Sequence, residues 1–475
     1  MKIKHNRDIK FNKKLSMNMC NILNRWTLFF FVMFSLGCSE FVIVDAPKNL
    51  LTSDIVFKDK STVESALANI YYKMREKGMV SGDFGLTTTM GTYSDELDYF
   101  GSDTEYQNLY HNNVMTNNTK ILGWWNHAYN LVYSANDIIE GLENSETLSS
   151  SDKQIFLGQS LFVRAYIHYL LTNIFGDIPY ITSTDYLENN KMSRMSISEV
   201  NSQIITDLVN ATYFLKDINA IDGERVWPGY HAAMALLARM YLYNEQWELA
   251  ASTATVLIDK YSLEEDVNDV FLKKSSETIW QLKPGEHPRN TQEANQLIIR
   301  NIPGQKYALS NSLLDDFEAG DLRYAKWVDS ISDAENNITL YYANKYKANF
   351  GELESLEYSI IFRLAEQYLI RAEAMANLAN KAAAQQDLNT IRNRAGLPPT
   401  PANTVNDLLD AILHERRVEL FAEHGQRWLD LKRTGRTHET LKDLKPYWQT
   451  TDVHLPIPEA ELELNRNLQP QNDGY

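Results

Sequence analysis

A helical period runs through nearly all of the body of this chain, and it limits the fold more than any other feature. Trp124-Trp125 through Leu142 sets Trp125, Tyr129, Leu131, Val132, Ala135, Ile138, Ile139 and Leu142 at helix spacing. Residues 157–174 continue the pattern and stop at Phe175-Gly176-Asp177-Ile178-Pro179, a Gly-then-Pro ending. Ser61 followed by Glu64 predicts a capping box opening an earlier helix, and residues 198–215 predict another. Two segments read as helical hairpins, 229–258 and 362–394. The first contains Ala232, Ala233, Ala235, Leu236, Ala238, Met240, Tyr241 and Leu242 before a short break, and Ala250, Ala251, Ala254 and Leu257 after it. Small residues against large ones at this spacing are how tetratricopeptide repeats pack. Strands are few: 278–282 and 338–342 are the segments with β character. Residues 283–306 and 318–357 read as long irregular loops, which in a compact body tend to carry function. The expected fold class is mostly α, with minor short β segments.

The first forty residues are of another kind. Lys2, Lys4, Arg7, Lys10, Lys13, Lys14 and Arg25 stand against one acid, Asp8, and are followed by an apolar run from Leu28 to Leu36. A basic region, a short apolar run and a small residue at the cut describe a secretory leader, and the run is too short to span a bilayer. Gly37-Cys38 resembles a lipobox, with Ser35 departing from the usual aliphatic residue three before the cysteine. The expected boundaries are a signal peptide at 1–37 and a linker at 38–50 lipidated on Cys38. The folded regions are then 51–228 and 229–475. Multiple acyl chains on one cysteine provide stable anchoring. Removing residues 1–37 leaves a net charge of −22. Such a body is unsuited to nucleic acid, which needs a basic surface.

Much familiar chemistry is absent from the sequence. No phosphate-cradling, dinucleotide or nucleophile-elbow motif occurs, and His414-Glu415-Arg416-Arg417-Val418 lacks the second histidine of a zinc helix. Both cysteines precede residue 40, so the body has no thiol ligand. Asp95, Glu96 and Asp98 are the tightest carboxylate cluster. A glycosidase acid/base pair needs two carboxyls ~5–10 Å apart across a cleft, and sequence neighbours seldom straddle a substrate. No catalytic residue, cofactor or metal site is therefore assigned.

Several segments together resemble the SusD/RagB family. They are Ser94-Asp95-Glu96, Trp125 with Asn136, and Leu161-Phe162-Val163-Arg164-Ala165-Tyr166 leading to Phe175-Gly176-Asp177-Ile178-Pro179. Residues 235–242, 362–374, 388–396 and 415–420 add to them, as do Leu455-Pro456-Ile457-Pro458 and the terminal Gln471-Asn472-Asp473-Gly474-Tyr475. The resemblance implies a SusD-like fold with tetratricopeptide-like hairpins under an irregular binding face. It implies an outer-membrane lipoprotein that caps a TonB-dependent transporter, with an oligosaccharide ligand or, in some relatives, a peptide. Surface exposure is expected as well, although only Glu40 supplies an acid just after the lipid cysteine. Arg164, Arg363, Glu366 and Glu373, within the matching motifs, are expected to be architectural.

The leading functional reading is nonenzymatic binding for nutrient import. The alternatives are a secreted helical glycosidase and a helical-repeat scaffold for protein. Aromatic rings on loops, flanked by acids and amides, are the chemistry that holds pyranose faces. The segment after Ser94-Asp95-Glu96 supplies Tyr99 and Phe100, with Tyr106 and Tyr110 beyond, and Asp98 as a hydroxyl acceptor. Trp327, in the second irregular region, is the other expected platform.

Overall fold

A computed structural model describes residues 56–218, 223–285, 289–349 and 351–475. The leader, Cys38 and the linker lie outside the described residues. Eight helices pack in sequence as one continuous array. Thr119–Asn144 packs on Ser150–Phe175, which packs on Ile197–Leu215 and then on Tyr230–Tyr243. The array continues through Trp247–Ile258, Leu364–Asn377, Lys381–Arg394 and Val405–Leu420. The two expected hairpins, a hundred residues apart in the chain, therefore stack directly. Ala238, Ala250, Ala251 and Ala254 of one meet Ile370 and Ala374 of the other in a shared buried cluster.

Local sequence explains most helix ends. Asn118 accepts from the amides of Lys120 and Ile121, and Ser196 with Glu199 forms a true capping box. The first described long helix differs from expectation. It spans Lys60–Glu76, and Asp59 caps it by accepting from the Ser61 amide at 2.8 Å. Ser61 thus sits inside the first turn, because the carboxylate two residues earlier reaches the free amide first. Gly176 ends Ser150–Phe175 at φ +77, and a Cβ there would approach the His454 ring to 3.0 Å.

Six short strands make three antiparallel pairs: β1 (Leu97–Tyr99) with β3 (Tyr307–Leu309), β2 (Thr278–Leu282) with β6 (Ser359–Arg363), and β4 (Val328–Asp333) with β5 (Ile338–Ala343). The strands expected at 278–282 and 338–342 are present. The stretch 318–357, expected to be irregular, instead holds the helix Leu322–Trp327 and the β4–β5 hairpin. The burial signal is weak in the sequence, because the hairpin side chains are exposed or half-buried and only Ala343 is fully covered.

Buried guanidinium–carboxylate pairs link elements that hydrophobic contact alone would leave free to slide. Arg164 clamps Asp207 at 2.7 and 2.8 Å and donates to Asn136. Arg239 of the first hairpin meets Glu366 of the second at 2.8 and 2.6 Å. Arg363 pairs with Glu419 and Glu423, and Arg433 holds Glu373. Bidentate pairs of this kind fix orientation as well as contact. All four residues expected to be architectural have such roles.

Candidate ligand-binding face

The Ser94-Asp95-Glu96 segment is held from below. Burial alone would raise the Asp95 pKa, but the guanidinia of Arg427 and Arg417 outweigh it and hold the carboxyl at about 2. Glu96 is fully buried, no side chain donates to its carboxyl, and burial pushes it up to about 7. An acid locked between two arginines and another sealed from solvent do not form an acid/base pair across a cleft. Asp98 is half-buried and accepts from the Tyr110 hydroxyl at 3.0 Å.

This anchored segment feeds β1, whose register sets Asp98 opposite Ala308 and Tyr99 opposite Tyr307. The Phe100 amide donates to the Lys306 carbonyl at 2.8 Å, which extends the ribbon by one residue toward the 283–306 loop. Phe100 emerges at the end of the ribbon, 46% exposed. Tyr99 is half-buried, with its ring centroid 4.6 Å from Tyr106, 5.7 Å from Tyr307 and 6.5 Å from Tyr110. A Cβ at Gly101 would lie 2.2 Å from the Tyr99 hydroxyl, so a larger residue in this turn would push the ring aside.

Aromatic contact continues beyond the segment singled out by sequence. Tyr110 lies 4.9 Å from His111, and His111 lies 6.1 Å from Tyr447, which is 57% exposed. Lys445 is sealed beneath, its ammonium 4.0 Å from the Tyr110 centroid and donating to the carbonyls of Thr92 and Tyr110. Burial lowers the Lys445 pKa to about 8 against the opposing pull of Asp98 and Asp95. Burial, with Asp98 second, raises the Tyr110 hydroxyl. The result is a strip of rings from Tyr99 through Tyr110 and His111 to solvent-facing Tyr447, with Asp98 bonded to Tyr110, while Phe100 stands exposed at the ribbon end without touching these rings. Rings of this kind offer apolar faces to a flat ligand, and a carboxylate beside them accepts hydroxyls.

The expected residues separate into two groups. Asp98, Tyr99 and Phe100 come together on β1 and its extension. Trp327 does not join them and is corrected here: it is fully buried, not a loop platform. Its indole N–H donates to the Val267 carbonyl at 2.7 Å, and its ring packs 5.4 Å from Phe271 and 6.4 Å from Phe421. The cause is the unexpected helix Leu322–Trp327, which turns the indole inward. Tyr106 is buried as well. Tyr447 and His111 were not singled out in the sequence. The Lys445-Pro446-Tyr447-Trp448 run, an aromatic pair after a proline, was the signal available. Among the described residues, no group of three His, Cys, Asp or Glu is placed to hold a metal ion.

Comparison with known proteins bears on the fold that carries this face. A profile described as starch-binding associating with outer membrane matches residues 49–242, and the SusD family profile matches residues 280–475. The chain is 26% identical to the SusD-like protein P2 of Formosa agariphila, over 92% of this chain and 97% of that protein. A SusD superfamily protein of Bacteroides vulgatus superposes with a TM-score of 0.79 at 22% identity, covering 88% of this chain and all of that one. A laminarin binding SusD-like protein superposes with a TM-score of 0.76 at 24% identity over 88% of this chain and 100% of that one. With both halves matched in order and the helical array shared, the chain belongs to the SusD/RagB family.

Proposed function

We propose that this protein is an outer-membrane lipoprotein that binds an oligosaccharide without cleaving it and passes it to a TonB-dependent transporter. The observation that carries the ligand reading is the aromatic strip from Tyr99 through Tyr110 and His111 to Tyr447, with Asp98 bonded to Tyr110 and Phe100 exposed at the end of the same ribbon. The profile over residues 49–242 describes starch binding and outer-membrane association, and one fold neighbour binds laminarin. Membrane attachment is supported by the basic leader, the Leu28 to Leu36 run and Gly37 before Cys38. Asp98 gives the strip a hydroxyl acceptor beside the rings, as a glycan requires. The test is calorimetric titration with laminarin- and starch-derived oligosaccharides, accompanied by a glycan array and a reducing-end assay. Binding that falls on Phe100→Ala, with no new reducing ends, supports the reading. A blank array with binding to a peptide library would replace sugar by peptide, and new reducing ends would make the protein an enzyme.

A further inference from the structure

On the other side of the β1–β3 ribbon lies an open cleft of about 510 Å³. That volume falls within the range of small-molecule sites. The ribbon itself gives the direction. Phe100 leaves one end of it, beside Lys306, while Leu97 opposite Leu309 marks the other end, from which Ser310 and Asn311 lead into the cleft. A three-residue ribbon spans roughly 10 Å, so the cleft and the aromatic strip are separate places.

The cleft has a fixed back and polar lips. Phe317 forms the back wall, packed edge-on against Phe421 at 5.7 Å and against Tyr324 at 5.5 Å. Tyr324, 37% exposed, and half-buried Tyr341 of β5 line the opening. The floor is rigid because Arg323, fully buried, pairs with Asp321 at 2.8 Å, Glu415 at 2.6 Å and Glu419 at 3.0 Å. Most acids here are committed: Asp321 to Arg323, and Glu318 to Arg392 at 2.6 Å. Asp315 is the exception among the described lining residues, exposed and with no partner for its carboxylate.

We infer that this cleft is a second saccharide subsite, in which Tyr324 and Tyr341 pack on a neutral sugar ring and Asp315 accepts its hydroxyls. Three rings on an ordered floor supply apolar faces at little conformational cost. A single uncommitted carboxylate gives directional hydrogen bonding without demanding a charged ligand. An organic cation is the other chemistry that rings and an acid accommodate, but most of the negative charge around this cleft is already neutralised by Arg323 and Arg392. The inference rests on the reading of the protein's ligand as a saccharide. Its consequence is a protein that grips a polysaccharide at two points, so that long chains gain by effective concentration what short ones lack.

The test uses laminarihexaose and maltohexaose as probes in calorimetric titration of the lipid-free protein, with the wild type, Phe100→Ala, Tyr324→Ala and Asp315→Asn. Two binding equivalents are expected in the wild type. Tyr324→Ala and Asp315→Asn are each expected to weaken one of them about tenfold or more and leave the other unchanged, while Phe100→Ala does the converse. Asp315→Asn guards against a folding artefact, because the side chain is exposed and supports no contact. One equivalent that is lost in Phe100→Ala and unaltered in both cleft variants overturns the second subsite and leaves the strip standing. One equivalent lost only in the cleft variants supports the cleft and overturns the strip. Absence of binding by both probes at millimolar concentration overturns the saccharide reading together with this inference. Tetramethylammonium that binds the cleft when both sugars do not would overturn it in favour of a cation.

Discussion

Phe100 and Trp327 sat together in the sequence reading as loop aromatics, and their surroundings assign them opposite consequences. Phe100 stands in solvent at the end of a ribbon, so Phe100→Ala is expected to weaken oligosaccharide binding roughly 5- to 150-fold, the loss of about 1–3 kcal/mol of ring contact. Calorimetry measures the affinity, and differential scanning calorimetry should find Tm almost unchanged. Trp327→Ala is expected to do the reverse. It empties a site between Phe271 and Phe421 and is expected to cost about 3–5 kcal/mol of stability, read as a fall in the chemical-denaturation midpoint. Glu96 makes a different prediction. Burial raises its folded-state pKa to about 7 from an ordinary 4.5, so the native state holds a proton that the unfolded chain releases earlier. The stability this contributes is present below about pH 4.5 and is lost as pH rises through about 7. Glu96→Gln keeps the neutral form at every pH. Its Tm advantage over the wild type is therefore expected to grow between about pH 4.5 and 7 and to level off above, and a constant difference would show that Glu96 is ionised throughout.

At the scale of elements, the helices and their ends were legible because their causes are local. Periodicity fixed where Trp247–Ile258 runs, and Gly176 and Pro179 marked the stop after Ser150–Phe175. The misreadings have different causes. The Ser61 start yielded to Asp59, which accepts from both the Ser61 amide and its hydroxyl and so opens the helix at Lys60. The segment 318–357 contains a helix and a hairpin whose burial is partial, so no strong period is left to read. The contact between the two hairpins is testable through Arg239 and Glu366. Arg239→Ala leaves Glu366 buried with Arg416 no nearer than 3.8 Å, and a loss of about 3–5 kcal/mol is expected. Replacing both residues by apolar ones of similar size, Arg239→Met with Glu366→Leu, is expected to cost less than the single change. Urea unfolding of the wild type and the two variants reads the order, and a double variant as unstable as the single one would show that the pair contributes more than mutual neutralisation.

For the whole molecule, the remaining expectation concerns attachment and partnership. Cys38→Ala is expected to shift the protein from the outer-membrane fraction to the soluble periplasmic fraction, as followed by immunoblotting of separated fractions. Retention in the membrane would assign anchoring to something other than lipid. Mild-detergent purification of the wild type, from cells that express a neighbouring transporter, is expected to recover a larger β-barrel protein with it. Repeated recovery of the lipoprotein alone would count against delivery to a transporter.

The sequence by itself determined the helical class, several long helices, the hairpins, the short strands at 278–282 and 338–342, and the segment after Ser94-Asp95-Glu96 that begins the candidate face. Each depends on neighbours within a turn or two, where spacing and capping act. Tertiary structure alone decided that the hairpin of residues 229–258 stacks on that of 362–394, and that Tyr447 joins Tyr110 across more than three hundred residues of chain. It also decided that Trp327 faces the core and that Tyr324 and Tyr341 share a cleft with Asp315. The direction in which a loop ring points is set by which packed surface lies beneath it. That surface is built from distant segments, so no local pattern in the chain encodes it.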